Sequence, residues 1–502
     1  MATEKIASVE SRAAKMVREI FESGRPLTYI RSSEEQRVGR VLGEVGLSLF
    51  AGAPTPVWTW SLTEAMHREG AAEEAGTQSA RAALDFIIAQ PGPAIFHLKD
   101  FHDPLKESGE VRRRLRDVYQ SCLDRRKFVV ISSPVRYIPD EIERSVMFIE
   151  LRPPDLIELV AFLRDQLPRF SPDSAAGEVS EAVAYQVARA LQGLTLDEAG
   201  YALRRALAVT PRLGPDSIPA LLEEKRLLVN RSGYIEYIAD GTVLGEVGGL
   251  EGLKKWLLER HKLFQMRDSL SAEIVPKGLL LMGIPGCGKS LSVKAIASYF
   301  QLPLYRVDMI EIFSGRHGKP EGAFVAACHM MEDMAPAVLW FDEIEMGITS
   351  TDSGGEQGRI FAFFLTWMQE KTRGLFVAAT ANRIDLLPAE MIRKGRFDEV
   401  FFVDLPDAAT RAEIFKLHLA RRQLKEADYD IGALAAATDG FSGAEIEQVV
   451  VAALYAAAAD KTAPTQQHML NEIGNTRPLS VLMAERVSAL REWARSRTVP
   501  AD

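Results

Sequence analysis

The sequence predicts an α/β protein: two successive parallel-sheet modules followed by a helical end. Three observations carry that reading. Short apolar runs alternate with helix-like stretches throughout residues 1–229, the pattern of strands joined by crossover helices. A second alternating series occupies residues 246–406, and a glycine-rich loop follows its first strand. Beyond Pro406 the chain turns alanine-rich and helix-favouring.

In the first region the apolar runs fall at residues 27–30, 94–98, 128–131 and 146–151. Residues 230–245 are polar and contain glycine, which predicts a connection. The second region has its runs at 279–282, 304–307, 338–341, 375–379 and 400–403, each of strand length. Residues 408–419, 431–437 and 444–459 predict the helices of a small lid within 407–502, closed by a last helix over 479–495.

Bulk properties agree with several folded modules. A chain of 502 residues exceeds the size at which one core keeps growing. With 47% hydrophobic and 26% charged residues the composition is that of a globular protein. The net charge of −9 argues against a chain whose main task is gripping nucleic-acid phosphates. The three cysteines, Cys122, Cys287 and Cys328, are too widely spaced for a zinc site or disulfide framework, which fits a reducing cytosol. Residues 1–20 lack the apolar core of a signal peptide, and the longest apolar run, 449–459, is too short to span a bilayer. The expected compartment is the cytoplasm.

Gly283, Ile284, Pro285, Gly286, Cys287, Gly288, Lys289 and Ser290 match the G-x-x-x-x-G-K-S/T phosphate loop, with an apolar strand before and a helical run after. Glycines let successive N–H groups face phosphates, and the following helix N-terminus adds positive potential. Lys289 is expected to reach the β and γ phosphates of ATP, and Ser290 to ligate Mg2+. Cys287 has neither a histidine nor a second cysteine suggested nearby and reads as a small loop residue. The strand at 337–341 ends in Asp342-Glu343, two carboxylates at the sheet edge where ligands bind. Asp342 is expected to support magnesium, and Glu343 to orient and polarise the attacking water.

Further motifs resemble those of AAA+ ATPases, in the order that family requires. Val247-Gly248-Gly249-Leu250 resembles the segment framing adenine, and Asn382 resembles the sensor-1 residue that helps hold the water. The stretch 387–398, Leu-Pro-Ala-Glu-Met-Ile-Arg-Lys-Gly-Arg-Phe-Asp, resembles the arginine-finger segment; by that match Arg393 and Arg396 act on a neighbouring subunit's ATP. His418 resembles the lid histidine that contacts nucleotide. Phe441-Ser442-Gly443-Ala444-Glu445 resembles the opening of the lid's next helix, with Ala444 where other clades place a sensor-2 arginine and Ser442 as a helix cap. Fingers act only between packed subunits, so the resemblance implies a homo-oligomer, most often a hexameric ring or spiral.

The phosphate loop through Leu291, the run 339–345, Phe363-Phe364-Leu365-Thr366-Trp367-Met368, the segment 393–406 and the tail pieces Pro478-Leu479-Ser480 and Trp493-Ala494 are similar to the AAA+ family called hypothetical chloroplast reading frame forty-six, of bacteria and plastids. Glu34-Glu35-Gln36-Arg37, Lys99-Asp100-Phe101-His102 and residues 113–117 resemble its degenerate AAA-like first domain. That resemblance divides the chain into a degenerate domain (1–229), a linker (230–245), the large ATPase domain (246–406) and a helical lid with a last helix (407–502). The loop after the first run reads Arg31-Ser32-Ser33-Glu34-Glu35, without glycine or lysine, and its acidic pair would repel ATP. Asp100 stands where a metal-supporting aspartate would, with Phe101 in place of a catalytic glutamate.

The family's ring translocases grip peptides with an aromatic-hydrophobic-glycine loop. Here residues 312–321 align in two ways, placing either Arg316 and His317 or Phe313 at the gripping positions; the trailing Glu321 favours the first. Those cationic residues could contact an acidic polypeptide or nucleic acid, or form a solvated loop. Arg112, Arg113, Arg114 and Arg116 form a basic run whose default reading is a salt-bridged face. The expected function is ATP hydrolysis coupled to remodelling of a protein partner. A regulatory switch or scaffold without substrate threading is the alternative, and a nucleic-acid motor is disfavoured by the charge.

Overall fold

The computed structural model describes residues 10–50, 54–170, 180–210, 212–239, 241–267, 269–271, 273–347, 356–372, 374–383, 386–393 and 395–502. They form two compact units, Met1–Lys225 and Arg226–Asp502.

The first unit is built on β1 (Leu27–Arg31), β2 (Val57–Trp60), β3 (His67–Arg68), β4 (Ala94–Lys99), β5 (Lys127–Ser133) and β6 (Met147–Glu150). Their order across the sheet is β3-β2-β4-β5-β1-β6, parallel except for the antiparallel hairpin of β2 with β3. The central strands are buried except at their carboxyl ends, and β5 is buried from Lys127 to Ser133, because helices cover both faces. One apolar layer gathers Tyr29, Trp60, Phe96 and Phe101, and the opposite one Phe21, Ile30, Ile95 and Phe128. The basic run lies on the helix Gly109–Cys122. Three of its four arginines are paired: Arg112 with Glu141, Arg113 with Asp117, and Arg114 with Asp85 and Asp117.

The second unit contains β7 (Ile235–Ile238), β8 (Gly278–Gly283), β9 (Leu304–Val307), β10 (Ala337–Phe341), β11 (Leu375–Ala381), β12 (Glu399–Val403) and β13 (Val499–Pro500). Their order is β13-β12-β8-β11-β10-β9-β7, parallel except for β7 against β9. The first parallel strand, β8, thus lies between the fourth and the fifth, a topological switch point at whose carboxyl end ligands bind. The lid has its own core, with Phe415, Leu434, Phe441, Ile446 and Met469.

Two expectations are corrected here. Residues 230–245 are not merely a connection: Ile235-Glu236-Tyr237-Ile238 alternates enough to extend the sheet, with Ile235 buried and Tyr237 beside Tyr305. The last helix, Ala484–Ala494, does not close the lid. Leu490 and Ala494 join the core under the second sheet, and Arg491 holds Asp404 at 2.8 Å, because its apolar face finds a larger partner there.

Candidate functional site

The phosphate loop is shaped by the approach of two backbones. Gly283 has φ +143°, and a Cβ there would lie 2.0 Å from the Val403 carbonyl oxygen, so no other residue fits beside β12. Ile284 N then donates to that oxygen at 3.1 Å. Gly286, at φ +78°, turns the loop under the lid, where a Cβ would meet Ser442 Oγ at 2.9 Å. Gly288 heads the helix Lys289–Phe300, whose free N–H groups open toward the loop. Lys289 Nζ donates to the carbonyls of Gly283 (2.9 Å) and Ile284 (2.8 Å). Burial lowers its pKa to about 8. The Cys287 thiol is pushed up to about 12 by burial, which makes it a protonated wall residue rather than a nucleophile.

At the end of β10 the acids are fixed by the neighbouring strand. Thr380 Oγ1 donates to Asp342 Oδ1 at 2.7 Å and accepts from Glu343 N at 3.2 Å. Glu343 has left-handed backbone (φ +46°), which turns its side chain away from the strand's alternation. Asn382 Nδ2 donates to Glu343 Oε1 at 2.8 Å. Beneath them Glu345, almost fully buried, accepts from the backbone N–H groups of Asn382 (2.8 Å) and Arg383 (3.1 Å). Burial raises its pKa.

The far end of the site is made by the segment before the helix Glu251–Gln265 and by the lid. Gly248 packs so closely that a Cβ would fall 2.9 Å from Ile414 Cγ1, and Glu246 pairs with Arg421 at 2.5 Å. His418, on the helix Ala408–Arg421, lies 3.7 Å from Glu447, and burial lowers its pKa. Ala444 N, in the first turn of the helix Gly443–Ala459, donates to Gly286 O at 2.9 Å. Ser442 and Glu445 close a capping box on that helix. The lid is thereby bonded to the phosphate loop itself.

One cavity of about 470 Å³ brings these groups together: Gly248, Pro285 through Leu291, Asp342, Glu343, Asn382, His418 and Ala444 line it. Gly283 and Ile284 lie behind the wall, offering their carbonyls to Lys289. Arg393 and Arg396 do not line it; Arg393 is exposed, and Arg396 Nε is buried without a hydrogen-bond partner among the described residues. His317 folds back edge-on to Tyr234, 5.4 Å between ring centres, and Arg316 pairs with Glu311 at 3.2 Å. Sequence reasoning missed Thr380, Glu246, Arg421 and Asp502, all in the cavity wall. Thr380 had a signal, a hydroxyl inside an otherwise apolar strand.

The first unit fills the corresponding place with its own charges. After β1, Glu34 is buried; its Oε1 accepts from Leu196 N at 2.7 Å and its Oε2 pairs with Arg37 at 2.8 Å. Arg37, also buried, bonds Glu158 at 2.9 Å and the Arg152 carbonyl at 2.7 Å. Glu35 faces Lys99 at 3.6 Å. The register of Asp100 differs from the sequence expectation. Its φ of +47° is that of Glu343, and its N–H likewise reaches across to the next strand, at Ser132 O. Lys99 therefore stands where Asp342 stands, a cation in place of a metal-supporting acid.

Comparison with known proteins gives consistent matches along the chain. Family models for the SpoVK-like AAA ATPase N-terminal domain and second domain match residues 13–151 and 158–232. Those for the ATPase family associated with various cellular activities (AAA) and the AAA+ lid domain match residues 279–405 and 428–471. The AAA domain-containing protein ycf46 of Pyropia yezoensis is 33% identical over 95% of this chain and 96% of its own length. That of Trieres chinensis is 32% identical over 94% of each. The human ATPase family gene 2 protein homolog A is 34% identical over 41% of this chain and 24% of its own length.

Proposed function

The chain belongs to the ycf46 family of AAA domain-containing ATPases, and from that premise we propose that it hydrolyses ATP with Mg2+ in the cavity of its second unit and uses the cycle on a protein partner. The observation that carries this is the convergence of Lys289, Asp342, Glu343 and Asn382 on one cavity, with Asn382 holding the Glu343 carboxylate at 2.8 Å.

The donors suit a magnesium ion: the Ser290 hydroxyl and the Asp342 carboxylate, already oriented by Thr380, offer oxygen to a hard cation. Bound magnesium would neutralise phosphate charge. Lys289 leaves its two carbonyls for the β and γ phosphates, joined by the N–H groups at the head of its helix. Residues 285–288 and Leu291 shape the loop around the phosphates. Glu343 holds the attacking water in line and takes its proton as the oxygen bonds to the γ phosphorus and the bond to the leaving ADP oxygen breaks. Gly248, His418 and Ala444 enclose the rest of the nucleotide. Placing these groups beforehand is most of what phosphoryl transfer requires.

Glu343→Gln is expected to keep ATP binding and lose at least about a hundredfold in kcat; unchanged turnover would sink the assignment. Arg393 and Arg396, outside their own chain's cavity, are assigned to the ATP of a neighbouring subunit in a hexameric ring or spiral. Mixing Arg396→Ala with Lys289→Ala chains should then restore partial activity, and no rescue at any ratio would count against shared sites. The partner is a protein in the cytoplasm rather than a nucleic acid, given the net charge of −9; among the described residues no helix is long and apolar enough to cross a membrane. A second reading, an ATP-dependent switch that threads nothing, is favoured by one observation: Arg316 and His317 are engaged by Glu311 and Tyr234 of their own chain.

A further inference from the structure

Part of the base end of the cavity comes from far along the chain. Beyond the helix Ala484–Ala494, β13 adds to the edge of β12. Ala501, 1% exposed, donates its N–H to Phe402 O at 3.0 Å and accepts from Leu253 N at 2.9 Å. Asp502 Oδ1 accepts from Leu250 N at 2.6 Å. Leu250 is left-handed (φ +58°) and stands just before the helix Glu251–Gln265, so its N–H has no partner within that helix. The seat is close on the other side too: a Cβ on Gly252 would be 3.1 Å from Ala501 O.

Asp502 lines the nucleotide cavity together with Gly248 and Leu250. It also lines a second cavity of about 670 Å³, with which the first shares Asp404, Thr410 and Asp502. Asp502, with Asp404 and Thr410, therefore stands between the two spaces, and the segment that carries it is held to β12 and to the helix Glu251–Gln265 by backbone hydrogen bonds of Ala501.

We propose that this segment is a working part of the nucleotide site. Asp502 is a positioning residue: its carboxylate fixes the Leu250 backbone, next to Gly249 whose N–H is held by Glu413, at the end of the segment against which the base lies, so that docking of residues 499–502 and nucleotide binding strengthen each other. The coupling is reciprocal by linkage. Nucleotide holds the segment down, and whatever lifts the segment from β12 through the second cavity weakens the hold on nucleotide. The proposal rests on the ATP reading above.

The test uses the full chain and steady-state ATP hydrolysis. Asp502→Ala should raise KM for ATP about tenfold, the worth of one charge-assisted hydrogen bond, and leave kcat within about twofold. Asp502→Asn, which can still accept from Leu250 N, should restore KM to within about threefold of the parent. Hydrogen exchange at the Leu253 amide should slow when Mg-ADP binds. A mere cap on the helix would lower thermal stability without moving KM. Unchanged KM in Asp502→Ala, or exchange at Leu253 indifferent to Mg-ADP, would overturn the proposal. A parent chain that neither hydrolyses ATP nor binds Mg-ADP would fail the ATP reading itself, and the two failures are told apart by the parent's behaviour.

Discussion

The two units share one strand order and differ in what fills the switch point. Counting parallel strands along the chain, each sheet reads fifth, first, fourth, third, second, with an antiparallel strand beyond the second; the second sheet adds a sixth parallel strand, β13, outside its fifth. Each also has a left-handed residue after its third strand, Asp100 in one and Glu343 in the other. In the second unit the loop after the first strand is glycine-rich and opens on a cavity with Lys289 and Asp342. In the first, Glu34 bonds the head of the helix Leu196–Val209, as Gly286 O bonds Ala444 in the second, and Lys99 meets Glu35. The scaffold is common, and the chemistry lies in a few side chains at one edge. Where ATP and magnesium would bring charge from outside, the first unit supplies both signs itself.

The largest effect expected from breaking this contrast is on stability. Arg37→Ala leaves Glu34 and Glu158 in place around the vacated guanidinium, Glu34 being buried. It should destabilise the first unit by about 3–5 kcal/mol, read by denaturant unfolding, while the second unit keeps its ATP site. A loss under about 1 kcal/mol would mean the network does not hold that unit together.

A smaller effect should sharpen the other side of the contrast. Thr380→Val keeps the shape of β11 and removes the hydroxyl that orients Asp342 and receives Glu343 N. It should lower kcat about tenfold, with ATP affinity little changed, since one hydrogen bond to a charged group is lost. Rescue of the rate by Thr380→Ser would tie the loss to the hydroxyl rather than to packing.

Much of this architecture was legible because buried parallel strands are written as continuous apolar runs. Those of β8, β10, β11 and β12 stand out, and the phosphate loop and Asp342-Glu343 sit at their ends. Short edge strands leave no such trace. β7 has four residues in a polar context, and β13 has two. The register at Lys99 and Asp100 was also hidden, because it depends on a backbone φ rather than on residue type. The Asp502 contact with Leu250 joins residues 252 positions apart, and no local pattern encodes it. Arg393 and Arg396 are singled out only by likeness to a family, and nothing in a single chain's cavity gives them a role.

The most direct test of one working site beside a self-filled one is the number of nucleotides bound per chain. Glu343→Gln, dialysed to equilibrium against saturating Mg-ATP, should bind one ATP per chain, and adding Lys289→Ala should abolish it. Two ATP per chain, or one that survives Lys289→Ala, would contradict the account.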